Sequence, residues 1–371
     1  MRRIGYFFSL FPLIFFAFWV KQPPAQSDLL SKADGPYLIY RKDTLFVHTI
    51  YDAGGVTKLR TDTLKTGAKK EIQLKVPTGN PDEFFTVTLK SRLQQEKAEY
   101  RKAPRQLAIS DMEGDLKGFL KLLKGNGVID QQFNWTFGDG HLVLTGDFFD
   151  RGVQVTELLW FIYSLEEKAK AAGGYVHFVL GNHEIMNMNG DFRYVQPRYM
   201  EHAALMQLDY LSLFDEQSEL GRWLRTKNIV EKVGEVLYMH GGISSEVNLF
   251  NAAAPVLNEL ARPYYGDTSY LYPNVHVEIL YSEVGPFWYR GYYIGSPKAT
   301  EAQIDSTLSI FGARYIATGH TIARDTISTW FNNKLFNTDV PHSKGFSEGL
   351  LLEKGKFYRV NEAGDRFLIA G

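Results

Sequence analysis

An α/β fold preceded by a small β-rich module is what the 371 residues predict, on three observations. Five short apolar runs each lead directly into Asp, Asn or His: Leu107 to Ser110 before Asp111, His141 to Thr145 before Gly146-Asp147, Tyr175 to Leu180 before Gly181-Asn182, Glu235 to Met239 before His240, and Ile316 to Thr318 before Gly319-His320. Runs of this length and apolarity read as buried parallel strands. Helical apolar spacing over Asp115 to Lys124 and Val153 to Ala172 follows the first two runs, as alternating strand and helix units require. Ahead of them all lies a stretch of different texture, rich in β-branched and aromatic residues and broken by turns.

From the N-terminus, Met1-Arg2-Arg3 precedes an apolar, aromatic-rich run from Ile4 to Val20, followed by Lys21 and a polar, Pro-containing stretch. This is the pattern of an export leader. As a helix the run spans about 25 Å, short of a hydrocarbon core of about 30 Å, and Pro12 would kink it. Residues 1–27 therefore read as a cleaved signal peptide, with Ala25-Gln26-Ser27 as an imperfect cleavage site, or as a membrane anchor through residues 4–20. The paired arginines favour a cytoplasmic N-terminus, which places the rest of the chain outside the cytoplasmic membrane, periplasmic or anchored facing outward.

Residues 28–104 read as the small β-rich module and its linker. Strands are expected over Tyr37 to Tyr40, Thr44 to Ile50, Glu71 to Val76 and Phe84 to Leu89, with a turn at Asp52-Ala53-Gly54-Gly55. The charged stretch Arg92 to Arg105 reads as a helix or an exposed connector. Residues 105–371 carry the chemistry. Within them Pro197 to Leu224 has a helical pattern fit for a cap over a cleft, and Gly349 to Glu353 with Lys356 to Val360 reads as a hairpin around Lys354-Gly355.

Composition excludes several classes. Lys and Arg number 41 against 42 Asp and Glu, so no polybasic field exists for nucleic acid. The absence of cysteine removes disulfides and thiol catalysis.

What remains is a set of carboxylate, amide and imidazole groups at strand ends, where open α/β sheets hold their ligands. Two divalent cations about 3.5 to 4 Å apart can polarise a phosphoryl group and make a water nucleophilic at neutral pH, and they need a shared carboxylate. Asp147 is the candidate for it, at the end of its own strand.

The order and wording of Gly146-Asp147-Phe148-Phe149-Asp150-Arg151-Gly152, Gly181-Asn182-His183-Glu184 and His240-Gly241-Gly242 resemble the phosphoprotein phosphatase family of calcineurin-like metallophosphoesterases. Asn187 to Val195, Ser218 to Ser244 and Phe287 to Tyr292 resemble its Shewanella-like branch in particular. The resemblance covers roughly residues 105 to 345. It implies a metallophosphoesterase fold, two mixed β-sheets flanked by helices, and metal-dependent hydrolysis of phosphomonoesters, with phosphoprotein carrying phosphorylated Ser, Thr or Tyr, or a small phosphomonoester, as substrate.

Carried over residue by residue, the resemblance assigns Asp111 and Asp147 to the first metal, with Asp147 bridging, and Asn182, His240 and His320 to the second. The mixed oxygen and nitrogen donors suit Mn, with Fe or Zn as alternatives. The first motif departs from the family. Glu113 stands where the pattern has a histidine ligand, so it either binds the first metal as a harder, anionic donor or only hydrogen-bonds nearby.

His183, next to Asn182, is expected to protonate the leaving oxygen, and Asp150 to orient its ring; the other reading of Asp150 is a cap for the helix beginning near Val153. Arg151 and Arg290 are the expected phosphate clamps, since guanidinium binds phosphate oxygens bidentately. Arg290 sits in an aromatic cluster that reads equally as ordinary packing with a surface cation. Arg193 and Tyr194 are weaker substrate contacts, a surface ion pair being the commoner fate of such an Arg. Two other functions stay open: a phosphodiesterase or nucleotidase of the same fold, and an exported binding module in which Glu113 disables the first metal.

Overall fold

A computed structural model describes residues 33–80, 83–295, 297–345 and 347–371. The expected leader at residues 4–20 lies outside them. Among the described residues no helix is long and apolar enough to cross a membrane.

The N-terminal region forms two small antiparallel sheets. One runs β1 (Asp34–Arg41), β2 (Thr44–Asp52) and β3 (Thr57–Lys65), and the other pairs β4 (Gln73–Pro77) with β5 (Phe84–Thr88). Four of these strands match expectation. The exception is β3, whose residues are half-buried or exposed and whose sequence shows no apolar alternation. It forms because the Asp52 to Gly55 turn folds it back on β2 in a nine-residue register, so pairing rather than burial specifies it. The module packs against the helix α2 (Val155–Ala171), where Trp160 donates its indole N–H to the Pro36 carbonyl at 2.7 Å and Phe85 meets Phe161 edge-on at 5.1 Å.

The remainder is built on two six-stranded sheets. In one, β7 (Arg105–Ile109), β8 (His141–Leu144) and β9 (Tyr175–Phe178) run parallel, and β15 (Glu348–Glu353), β16 (Lys356–Asn361) and β17 (Arg366–Ala370) extend it antiparallel in the order β17-β16-β15-β7-β8-β9. The other has the order β13-β14-β12-β11-β10-β6, with β6 (Glu99–Tyr100), β10 (Val230–Val233), β11 (Val236–Met239), β12 (Tyr315–Thr318), β13 (Ser328–Trp330) and β14 (Leu335–Asn337). Both are mixed, since β11, β12 and β14 run parallel while β10 pairs antiparallel with β11, and β13 with β14.

Strand alternation decides how the sheets sit. Ala108 and Val143 join Val236, Tyr238, Phe336 and Phe357 in one buried cluster that draws on both sheets, while Leu107, Ile109, Leu142 and Leu144 join the cluster that holds the helices. The two sheets therefore pack face to face through small and β-branched residues together with a few aromatics. Tyr238 donates its hydroxyl to Gln106 across that interface at 2.8 Å, and Phe336 stacks on Phe357.

The helices that follow the parallel strands begin where the chain chemistry dictates. Asp115 caps α1 (Leu116–Gly125) by accepting the Gly118 amide, and Gly190 ends α3 (Asn182–Asn189) in a left-handed conformation that glycine adopts without strain. The helical stretch expected over Pro197 to Leu224 is interrupted: α4 (Pro197–Leu205) and α5 (Glu219–Leu224) are separated by a 3-10 turn at Tyr210–Leu213. Residues 92–105 form an extended connector that contributes β6 and no helix. The C-terminal hairpin turns at Lys354 and Gly355, both at positive φ, with Glu353 paired to Lys356.

Candidate metal centre

Asp111, Asp147 and Asn182 lie just beyond β7, β8 and β9, and His240 and His320 just beyond β11 and β12. The loops are tied to one another by backbone bonds, Asp111 N–H to Gly146 C=O and Gly319 N–H to His240 C=O, both at 2.9 Å. Glycine permits this closeness. A Cβ on Gly146 would sit 2.5 Å from the Gly181 nitrogen, and one on Gly181 would collide with the Asp147 carboxylate. Asp111, Glu113, Asp147, Asp150, Arg151 and His320 all have φ between 45° and 68°. Left-handed backbone at so many non-glycine residues costs energy, and such strain persists where surrounding structure over-determines it, chiefly at functional sites.

The side chains converge. Ligand atoms of buried Asp147, His240 and His320 lie within 4.8 Å of one another, an arrangement able to hold a metal ion. His240 Nε2 is 3.0 Å from Asp147 Oδ2 and 3.0 Å from Asn182 Oδ1, and Asp111 accepts the His320 amide at 3.1 Å.

Hydrogen bonds on the far side of each ring fix which nitrogen faces inward. His240 Nδ1 meets the Thr145 carbonyl at 2.7 Å and must carry a proton there, so Nε2 is the nitrogen that faces Asp147 and Asn182. His320 Nε2 likewise meets the Trp288 carbonyl at 3.0 Å, and its Nδ1 is buried without a hydrogen-bond partner. An orphaned ring nitrogen beside carboxylates is what a metal ligand looks like without its ion.

Electrostatics gives the same result. Burial first, and then the Asp147 charge, push the Asp111 carboxyl up to about 6. Asp339, buried and facing Asp111, Asp147, His240 and Arg290, is pushed well above the carboxylate range by burial and by those two acids. Burial disfavours charge on His240, yet Asp147 and Asp111 hold its pKa up to about 10. So many acids in a buried space demand positive charge, and the donor set fits divalent cations.

Beside this cluster, His183 Nδ1 lies 2.6 Å from Asp150 Oδ2, and its Nε2 faces Asp147 Oδ2 at 3.8 Å. Burial lowers the His183 pKa, but Asp147 and Asp150 outweigh it and the net shift is upward. The helix after Asp150 has Gln154 at its N-cap position, and the Asp150 carboxylate is bonded to His183 and Asn187 and not to the helix start. Its other oxygen accepts Asn187 Nδ2 at 2.9 Å, and Asn187 in turn accepts the Tyr210 hydroxyl at 2.7 Å. Glu184 braces the loop, accepting the amides of Asp147, Phe148 and Gly181 at 2.7 to 2.9 Å.

The arginines lie at the exposed rim. Arg151 is paired with Glu113, which stands outside the cluster of Asp147, His240 and His320, and its guanidinium lies 5.0 Å from the centre of the Tyr194 ring. Arg290 donates to the His320 carbonyl and to Thr321 Oγ1. Arg193 forms a two-point ion pair with Asp191. Tyr194 is 42% exposed and its ring centre is 5.1 Å from that of His183, which puts an aromatic surface at the rim.

Asp339, Asn187 and Tyr210 were not among the sequence candidates. Asp339 follows β14 as the other acids follow their strands, but that strand has three residues and no glycine step, so the signal is weak.

Residues 104–324 match the family model described as calcineurin-like phosphoesterase. The chain is 28% identical over 297 residues to Shewanella-like protein phosphatase 2 of Arabidopsis thaliana, covering 68% of this chain and 74% of that protein. It is 26% identical over 247 residues to Shewanella-like protein phosphatase 1 of Plasmodium berghei, covering 63% and 66%. The crystal structure of a cold-active protein-tyrosine phosphatase from a psychrophilic Shewanella species superposes with a TM-score of 0.82 at 37% identity, covering 91% of this chain and 99% of that one.

Proposed function

The chain belongs to the calcineurin-like phosphoesterases, related to the Shewanella-like protein phosphatases, and from that premise we propose that it hydrolyses phosphomonoesters of proteins with the help of two divalent cations. The observation that carries this reading is the pair of inward-facing ring nitrogens, His240 Nε2 and the unpartnered His320 Nδ1, next to Asp147.

Asp111 and Asp147 would hold one cation, and Asp147, Asn182, His240 and His320 the other, with Mn the best match to this donor set. When bound, the cations neutralise phosphoryl charge and make water nucleophilic near neutral pH. The protein's own groups do the rest. His183, with Nδ1–H committed to Asp150, presents Nε2 to the site and delivers a proton to the departing oxygen. Arg151 exchanges Glu113 for a phosphate oxygen, and Arg290 adds the second guanidinium. Tyr194 supplies an aromatic shelf for the side chain that bears the phosphate.

Assay of para-nitrophenyl phosphate, phosphotyrosine and phosphoserine peptides, and nucleotides, with Mn added, tests the proposal. Turnover of phosphopeptides is the expected result. A preference for diesters, or for nucleotides over every peptide, would replace it. The N-terminal leader supports export of the catalytic body; fractionation that finds the full-length protein in the cytoplasm would remove that part.

A further inference from the structure

A cleft of about 430 Å³ opens between the N-terminal module and α5, lined by Tyr40, Lys42, Thr66, Lys69, Gln217 and Arg222. None of these residues belongs to the metal centre. Three are cations. Lys69 is paired with Glu219 at 2.9 Å, and that carboxylate is buried and also accepts the hydroxyls of Tyr40 and Tyr163. Arg222 lies 4.0 Å over the Tyr40 ring and gives its Nε to the Glu216 carbonyl, which leaves its terminal amino groups to the cleft. Lys42 forms no ion pair among the described residues.

Three positive charges against one occupied carboxylate leave a surplus of two, the charge of a phosphate dianion. Thr66 and Gln217 add neutral side-chain donors that are bonded to no other described residue. The surrounding chain is biased the same way: residues 41–75 hold eight Lys and Arg against four Asp and Glu, in a protein whose net charge is -1. Lys42 also sits at φ 53° in the β1–β2 turn, a conformation where Gly or Asn is the inexpensive choice.

We propose that this cleft is a second anion site, which takes a phosphate dianion carried on a phosphorylated protein segment or on a free small molecule. The site would either hold a substrate by a phosphate other than the one being cleaved, or sense free phosphate.

Calorimetry on the metal-loaded protein with inorganic phosphate counts the sites. Two are expected in the wild type. In the Lys42→Asn, Arg222→Gln double variant the second should weaken about tenfold or more, as loss of two charge-assisted contacts implies. Asn tolerates the left-handed turn, and Lys42→Asn alone serves as a control that leaves α5 untouched. Turnover of para-nitrophenyl phosphate should stay as in the wild type. If KM for a doubly phosphorylated peptide is lower than for its singly phosphorylated form, and the gap closes in the variant, the phosphate is substrate-borne; a second site without such a gap indicates a free ligand. A single phosphate site in the wild type, or two sites of unchanged affinity in both variants, would overturn the proposal.

Discussion

The Asp150 carboxylate is shared by two partners on opposite oxygens, His183 at 2.6 Å and Asn187 at 2.9 Å. The second bond fixes the carboxylate plane, and with it the direction in which the imidazole points. Asp150→Asn keeps the shape but loses the charge and lets the ring adopt the wrong tautomer. We expect kcat to fall about 100-fold, with metal content unchanged. The loss should be steeper for phosphoserine peptides than for para-nitrophenyl phosphate, whose leaving oxygen needs less protonation. Equal losses on both would mean that Asp150 does not act through a proton donor.

His320→Ala removes a ring nitrogen that is buried without a partner and grouped with Asp147 and His240. Metal analysis of the purified variant should show at least one ion fewer per chain than the wild type. Chelation of the wild type should lower its Tm, because an ion that binds only the folded state stabilises it. Unchanged metal content in the variant would strike His320 from the ligand set.

Glu113 is engaged by Arg151 and not by the cluster. A Glu113→Gln variant is therefore expected to keep its metal and to bind phosphate monoesters a few-fold more tightly, as the guanidinium is released. Loss of metal would instead make Glu113 a ligand, the other reading that its position in the first motif left open.

Outside the centre, Glu166 is buried between Lys227 at 2.6 Å and Lys90. Burial opposes its charge, but the two lysines hold its pKa at about 2, below the ordinary 4.5. A carboxyl depressed on folding adds stability that is complete above its unfolded value and is lost as pH falls through the folded one. The protein should therefore lose stability between about pH 4.5 and 2 from this group. Glu166→Gln strands the fully buried Lys227 and should cost about 3 kcal/mol near neutral pH, with a shallower acid limb in thermal melts. A Tm equal to that of the wild type would mean that Glu96, 3.1 Å from Lys227, carries the pair alone.

What could be read from sequence follows from how locally each feature is encoded. The strands before Asp111, Asp147, Asn182, His240 and His320 are short apolar runs that can only be buried, and each announces its end with a polar residue. The edge strand β3 has no such code, because its partner β2 specifies it through the turn. Asp339 was hidden for a related reason: its importance comes from facing Asp111 and Asp147, which are far away in the chain. The role of Glu113 was likewise undecidable, since Arg151 claims it only once the two loops meet.

The inward-facing groups come from two separate layers: Asp111, Asp147 and Asn182 from one sheet, His240 and His320 from the other. An ion bound among them acts as a rivet through both. Loading it would slow amide exchange in strands that never touch it, and stripping it would let the layers creep past each other, so that mechanical endurance and chemical competence in this protein share a single fastening.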